Sequence, residues 1–161
     1  MPPINRAADA LIAAAPLATR WIQRLLQSHD PPLSLGQLVA LRAIAAESPA
    51  AAELARRTGV SGSAVSQLVA ELEEAGYVRR GSAAVDRRRQ ELALTPEGQR
   101  VLASATAALR RTIGALLAGL PPPEADALAR GLATVERLLA GQPPPRRPPP
   151  PGPKHRRPSG R

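Results

Sequence analysis

The chain has 161 residues, no cysteine, one tryptophan, one tyrosine, no phenylalanine and a formal net charge of +9. That length suits one ordinary domain or a domain with appendages, and the missing cysteine excludes disulfides, thiolate metal sites and thiol redox sensing. No charge-free apolar run is long enough to span a bilayer, and no basic patch leads into an apolar run with a small-residue cleavage site. A cytoplasmic protein with no membrane association is therefore expected. Its core has to be built from Leu, Ala, Val and Ile, a helix-favouring set. The charge is uneven: from Gln142 onward there are six Lys or Arg and no acid, whereas residues 1–141 carry 16 basic against 13 acidic side chains.

Taken in order, residues 5–29 predict a long first helix, with Leu11, Ala15, Ala18, Ile22, Leu25 and Leu26 as an apolar stripe. Pro16 removes one helical hydrogen bond and clashes with the carbonyl four residues back, which predicts a kink or break near Ala14–Ala15. Asp30-Pro31-Pro32 stops the helix, and His29 reads as a helix-end residue. Ser34 and Gln37 form a capping-box signature for a helix to about Ala46, with Leu38, Leu41, Ile44 and Ala45 inward. A further helix, about Ala51 to Thr58, is anchored by Leu54 and Ala55 and carries Arg56 and Arg57 on its outer side.

The stretch from Glu53 to Thr95 organises the rest. Gly59 sits where a tight turn needs a residue free to take positive φ, and Val60 follows as a plug into the core. Ser61 is a good N-cap for a helix over Gly62 to Ala75. In that helix Val65, Leu68, Val69 and Leu72 recur at helical spacing; Ser63, Ser66, Gln67 and Ala70 fall on the other face. After Gly76, Tyr77-Val-Arg-Arg and Gln90-Glu-Leu-Ala-Leu have strand character, with Leu92 and Leu94 on one face. Between them lies Gly81 to Arg89 with three consecutive arginines. Helix, turn, helix and basic ribbon make a winged helix-turn-helix, whose cargo is duplex DNA. The residues before Ala51 lack strand character, so a third strand is expected to be vestigial.

Thr95-Pro96-Glu97 is a helix start with cap, proline and acid in order. Val101, Leu102, Ala105, Leu109, Ile113, Leu116 and Leu117 supply that helix's apolar side, and Pro121-Pro-Pro ends it. A final helix over about Glu124 to Ala140 bears Leu128, Leu132, Val135, Leu138 and Leu139, with Gly141 beyond its end. The first helix and the last two carry more leucine than one small winged domain covers. This points to a dimerisation layer ahead of a monomeric fold-back, because soluble proteins rarely expose large apolar patches. In the final twenty residues, nine are proline, which permits only extended or disordered chain; this basic tail reads as an inert end, a DNA clamp or a polyproline ligand.

The motifs Glu53-Leu-Ala-Arg-Arg-Thr-Gly-Val-Ser, Leu68-Val-Ala-Glu-Leu-Glu-Glu-Ala-Gly-Tyr-Val, Asp86-Arg-Arg and Leu94-Thr-Pro-Glu-Gly, in this order, resemble the MarR family of transcriptional regulators over residues 5–140. The resemblance implies a homodimer that binds inverted repeats, usually represses nearby genes, and is released by a small-molecule effector seated between dimer layer and winged domain. It implies that Ser61, Ser63, Ser66 and Gln67 face the major groove. It also implies that Arg88 enters the minor groove, with Asp86 holding it through an ion pair, and that the neighbouring Arg87 and Arg89 bind DNA with it. Gly62, Ala64 and Gln67 depart from the family pattern, where a basic or hydroxyl residue is common. Guanine readout, typically arginine work, is then missing from the recognition helix, and affinity rests on the wing, on Arg56 or Arg57, and on the tail.

The expected fold class is mainly α with a small β-ribbon (α+β). Residues 1–33 form an N-terminal dimerisation helix, 34–95 the winged helix-turn-helix, 96–141 the C-terminal dimerisation helices, and 142–161 the tail. The alternative function is a helical dimeric protein-interaction module with a docking tail. Glu71, Glu73 and Glu74 read as a solvated surface, and no motif for a cofactor, metal or enzyme reaction occurs.

Overall fold

The computed structural model describes residues 2–47, 49, 53–55, 61–82 and 90–140. The elements are α1 (Pro3–Gln27), α2 (Leu35–Glu47), a helical stretch at 53–55 (α3), α4 (Gly62–Glu74), β1 (Val78–Ser82), β2 (Gln90–Leu94), α5 (Pro96–Leu117) and α6 (Pro122–Ala140). This is the expected mainly helical fold with one antiparallel ribbon. Gly59, Val60, Gly141 and the tail lie outside the described residues.

Of the kink or break expected near Ala14–Ala15, the break does not occur: helix α1 runs on through Pro16. The proline, which has no N–H, costs the carbonyl of Ile12 its intrahelical donor without ending the helix. Only the last turns of α1 meet the core, where Leu26 is fully buried. The capping box opening α2 closes in both directions: Ser34 N–H donates to Gln37 Oε1 at 2.9 Å, and Gln37 N–H donates to Ser34 Oγ at 3.1 Å. Leu38, Leu41 and Ile44 are buried as expected, but Ala45 is exposed and Ala40 is buried instead. The buried arc of α2 is centred on Leu41 and Ile44, which leaves Ala45 on the rim of a groove shared with Leu94 and Leu102.

One aliphatic cluster joins every element but α6: Leu26 of α1, Leu41 and Ile44 of α2, Leu54 of α3, Val65, Val69 and Leu72 of α4, Val78 and Leu92 of the ribbon, and Val101 and Ala105 of α5. Among the described residues no polar or charged side chain is buried. Burial of apolar surface therefore holds these elements together, at roughly 25 cal/mol per Å² removed from water.

The strands pair with Val78 opposite Leu94 and Arg80 opposite Leu92. Beyond them, Leu92 N–H donates to the Pro49 carbonyl at 3.1 Å. That single bond is all that remains of a third strand among the described residues. The turn from α4 to β1 is made by Gly76, at φ 74°, a left-handed conformation that glycine adopts without penalty. Thr95 clasps this turn to the start of α5: its hydroxyl donates to the Gly76 carbonyl at 2.6 Å and accepts from Gly98 N–H at 3.0 Å. Gly98 is required there because an added Cβ would run into the Tyr77 carbonyl, 2.8 Å from its carbon.

Two stability outcomes follow. Gly98→Ala forces backbone apart at the clasp and should cost about 1–3 kcal/mol in urea unfolding. Leu72→Ala, at a fully buried site, should cost about 2–5 kcal/mol, and more than Leu68→Ala, whose side chain is only partly buried.

Candidate nucleic-acid interface

Helix α4 is held by one face and free on the other. Val65, Val69 and Leu72 are buried with Leu68 against them, whereas Ser63, Ser66, Gln67 and Ala70 are exposed. Ser61 caps the helix, its hydroxyl accepting from Ala64 N–H at 3.3 Å. It also lies 3.1 Å from the Ser63 hydroxyl. Ser66 donates back to the Gly62 carbonyl at 2.8 Å, and Gln67 Nε2 donates to Glu71 Oε1 at 3.3 Å. These polar groups thus satisfy one another along the helix surface. An incoming acceptor or donor would exchange with weak, exposed bonds and would leave no buried group unpaired.

Ser61, Ser63, Ser66 and Gln67 come together on the exposed side of the N-terminal half of α4. Arg56, Arg57, Asp86, Arg87, Arg88 and Arg89 lie outside the described residues. The ribbon adds a distinction that composition hid. Arg80 shares its face with Leu92, and its Nε donates to both Glu73 carboxylate oxygens at 3.1 Å. Its charge is therefore balanced by the end of α4, and the pair braces helix against wing. Arg79 lies on the opposite face, paired with Ala93, and remains exposed. Strand alternation from Leu92 was the signal that would have separated the two arginines.

His29 reaches further than a helix-end residue. Just past α1, its Nδ1 lies 2.9 Å from the Pro31 carbonyl and its Nε2 lies 3.0 Å from the Ser104 hydroxyl of α5. Because a carbonyl can only accept, Nδ1 carries a proton. The ring straps the loop before α2 to α5, beside a cavity of about 400 Å³. Among the described residues no cluster of His, Asp or Glu could hold a metal ion, and no helix is long and apolar enough to cross a membrane.

A helix-turn-helix core with its second helix facing outward and a two-stranded wing defines a winged-helix DNA-binding class. Residues 29–89 match the model of the MarR family. Comparison with curated protein sequences yields no match. Among solved structures, the transcriptional regulator BldR from Sulfolobus solfataricus is 27% identical, with 86% of this chain and 99% of that one aligned at a TM-score of 0.69. CouR from Rhodococcus jostii RHA1, bound to p-coumaroyl-CoA, is 25% identical over 82% of this chain and 90% of that one, with a TM-score of 0.67. FabT from Streptococcus pneumoniae, in complex with DNA, is 18% identical over 84% and 96%, with a TM-score of 0.68; that likeness is one of fold. By the match over 29–89 and by its architecture, the chain has the fold of a MarR-family transcriptional regulator.

Ser61→Ala should cost about 1 kcal/mol of unfolding free energy by removing the cap of α4. Ser61→Asn should restore it; equal melting of all three would show that the cap does not hold this helix.

Proposed function

We propose that the chain is a sequence-specific, DNA-binding transcriptional regulator of the cytoplasm. It acts as a homodimeric, ligand-responsive repressor on a pseudo-palindromic operator. The observation that carries this reading is the outward polar face of α4. Ser63, Ser66 and Gln67 are exposed on a helix whose other side is locked in the core. A helix of this kind fits the major groove. Gln67, released from Glu71, presents an amide able to pair with the N6 and N7 edge of adenine. Ser61 and Ser63, with the amides of the first turn, suit phosphate oxygens. The wing arginines Arg87, Arg88 and Arg89, Arg88 foremost and steadied by Asp86, supply the minor-groove and backbone charge, with Arg56 or Arg57 adding to it. FabT, of like fold, is held on DNA.

The homodimer rests on unspent apolar surface. Helix α6 buries no residue at all. Ile12 of α1, Leu116 of α5 and Leu132, Leu138 and Leu139 of α6 are each more than half exposed. An apolar cleft of about 680 Å³ lies between these three helices, walled by Leu17, Trp21, Ile113 and Leu132. A second copy covers such faces and sets two α4 helices in symmetric register. In this reading residues 1–33 and 96–141 form the dimer layer and 34–95 the reader. A small effector acts by preferring one spacing of the two reader domains over the other; CouR, of similar structure, was solved with p-coumaroyl-CoA.

Selection from random duplexes with the full chain tests the reading: a dyad with half-sites about 10 bp apart is expected, and an unenriched pool would contradict it. Arg88→Ala should lower affinity and reduce the slope of log K against log salt by about one unit. Ser61→Asp keeps the cap yet sets a carboxylate against phosphate. It should therefore melt normally while losing operator binding, which a titration reads directly.

A further inference from the structure

The two adjacent arginines of β1 stand in different surroundings, and strand alternation sets the difference. Val78 and Leu92 turn one face of the ribbon into the core, and Arg80, opposite Leu92, stands at the rim of that face. Its Nε donates to both carboxylate oxygens of Glu73. Arg79, opposite Ala93, and Gly81, opposite Glu91, belong to the outer face. Arg79 is exposed, and among the described residues its guanidinium is in no ion pair, even with Glu91 on the same face.

Gly81 gives that guanidinium its direction. A Cβ built on Gly81 would lie 3.6 Å from Arg79 Nη1, so the arginine runs forward over the bare backbone of the next outward position. Two residues of strand advance about 7 Å, and the charge is carried that far toward the end of β1, from which residues 83–89 continue. Across the ribbon, Ala93 offers only a methyl group beside it. Among the described residues nothing in the fold uses this charge, and removing it leaves no partner unsatisfied.

A ribbon entering a minor groove about 6 Å wide has a sugar–phosphate strand along each side. A cation on its outer face, close behind the tip, therefore meets phosphate whichever tip residue reaches the bases. The planar fork of a guanidinium suits two phosphate oxygens at once. We propose that Arg79 is a phosphate-binding residue of this interface, in addition to Arg87, Arg88 and Arg89, and that Arg80 beside it brings no free charge to the duplex because Glu73 already holds it. The proposal rests on the reading of the chain as a DNA-binding regulator and divides the labour within the wing. One arginine grips the backbone; its neighbour braces the ribbon against α4. A phosphate contact carries no base information, so its loss weakens every duplex alike.

The test is a titration of the full chain across a range of salt against two labelled duplexes, the selected operator and an unrelated sequence. Arg79→Gln, melting as the parent does, should bind both about fivefold more weakly per protomer, the scale of one exposed ion pair. It should also lower the slope of log K against log salt by about one unit per protomer. Arg79→Lys, which keeps the charge, should retain most of that slope, and Arg80→Gln should keep the parent's slope. An unchanged affinity or slope in Arg79→Gln, a loss confined to the operator, a slope equally lost in Arg79→Lys, or a unit of slope lost in Arg80→Gln would each overturn the proposal. A parent chain that binds neither duplex would contradict the regulator reading and the proposal together, whereas a binding parent with an unaltered Arg79→Gln contradicts the proposal alone.

Discussion

The burial of one side of α4 is the constraint from which the rest follows. Val65, Val69 and Leu72 are each at most 1% exposed, in a cluster that contains no polar side chain among the described residues. A helix fixed by apolar contact alone has its orientation set by spacing: once three residues point inward, Ser63, Ser66 and Gln67 must point out. The N-cap at Ser61 and the left-handed turn at Gly76 fix its two ends. The contact of Arg80 Nε with both carboxylate oxygens of Glu73 then ties the ribbon to that helix. Helix α4 and the described strands of the ribbon are thereby joined, and the exposed face of α4 is small, polar and hydrogen-bonding.

A second constraint is the apolar surface left over. The winged core satisfies itself, whereas the outer half of α1, the far end of α5 and all of α6 do not. Rows of leucine and isoleucine facing water are a standing free-energy cost, and covering them by association removes it. Under the proposed dimer, the energy that assembles the pair comes from surface remote from the polar face of α4. Recognition and assembly are thus separable by mutation, while the joint at His29 lies between them.

Much of this was legible from local signals. The capping box at Ser34 and Gln37, the Thr95-Pro96-Glu97 start, the cap at Ser61 and the period of Val65, Val69 and Leu72 each depend on residues within a turn or two. Sequence therefore located them well. What escaped was set by contacts far apart in the chain. Nothing near Pro16 says that the helix continues through it at the loss of one hydrogen bond. Ala40 and Ala45 are chemically alike, and only the rotation of α2 against its neighbours chooses between them. The bond of His29 to Ser104 spans 75 residues, and the pairing of Arg80 with Glu73 depends on strand register. For the candidate site, helical periodicity placed Ser63, Ser66 and Gln67 outward, but which charge is free and which is already paired is a tertiary property.

The central claim is that the polar face of α4 meets base edges as one of a symmetric pair, and the absence of cysteine from the chain allows it to be tested at one atom. Ser66→Cys would carry the only thiol in each protomer, to which an iron chelate that cleaves nearby DNA can be attached. With the selected operator, the account predicts cleavage at two sites related by the dyad, about one helical turn apart. Cleavage at a single place, or scattered evenly along the duplex, would contradict it.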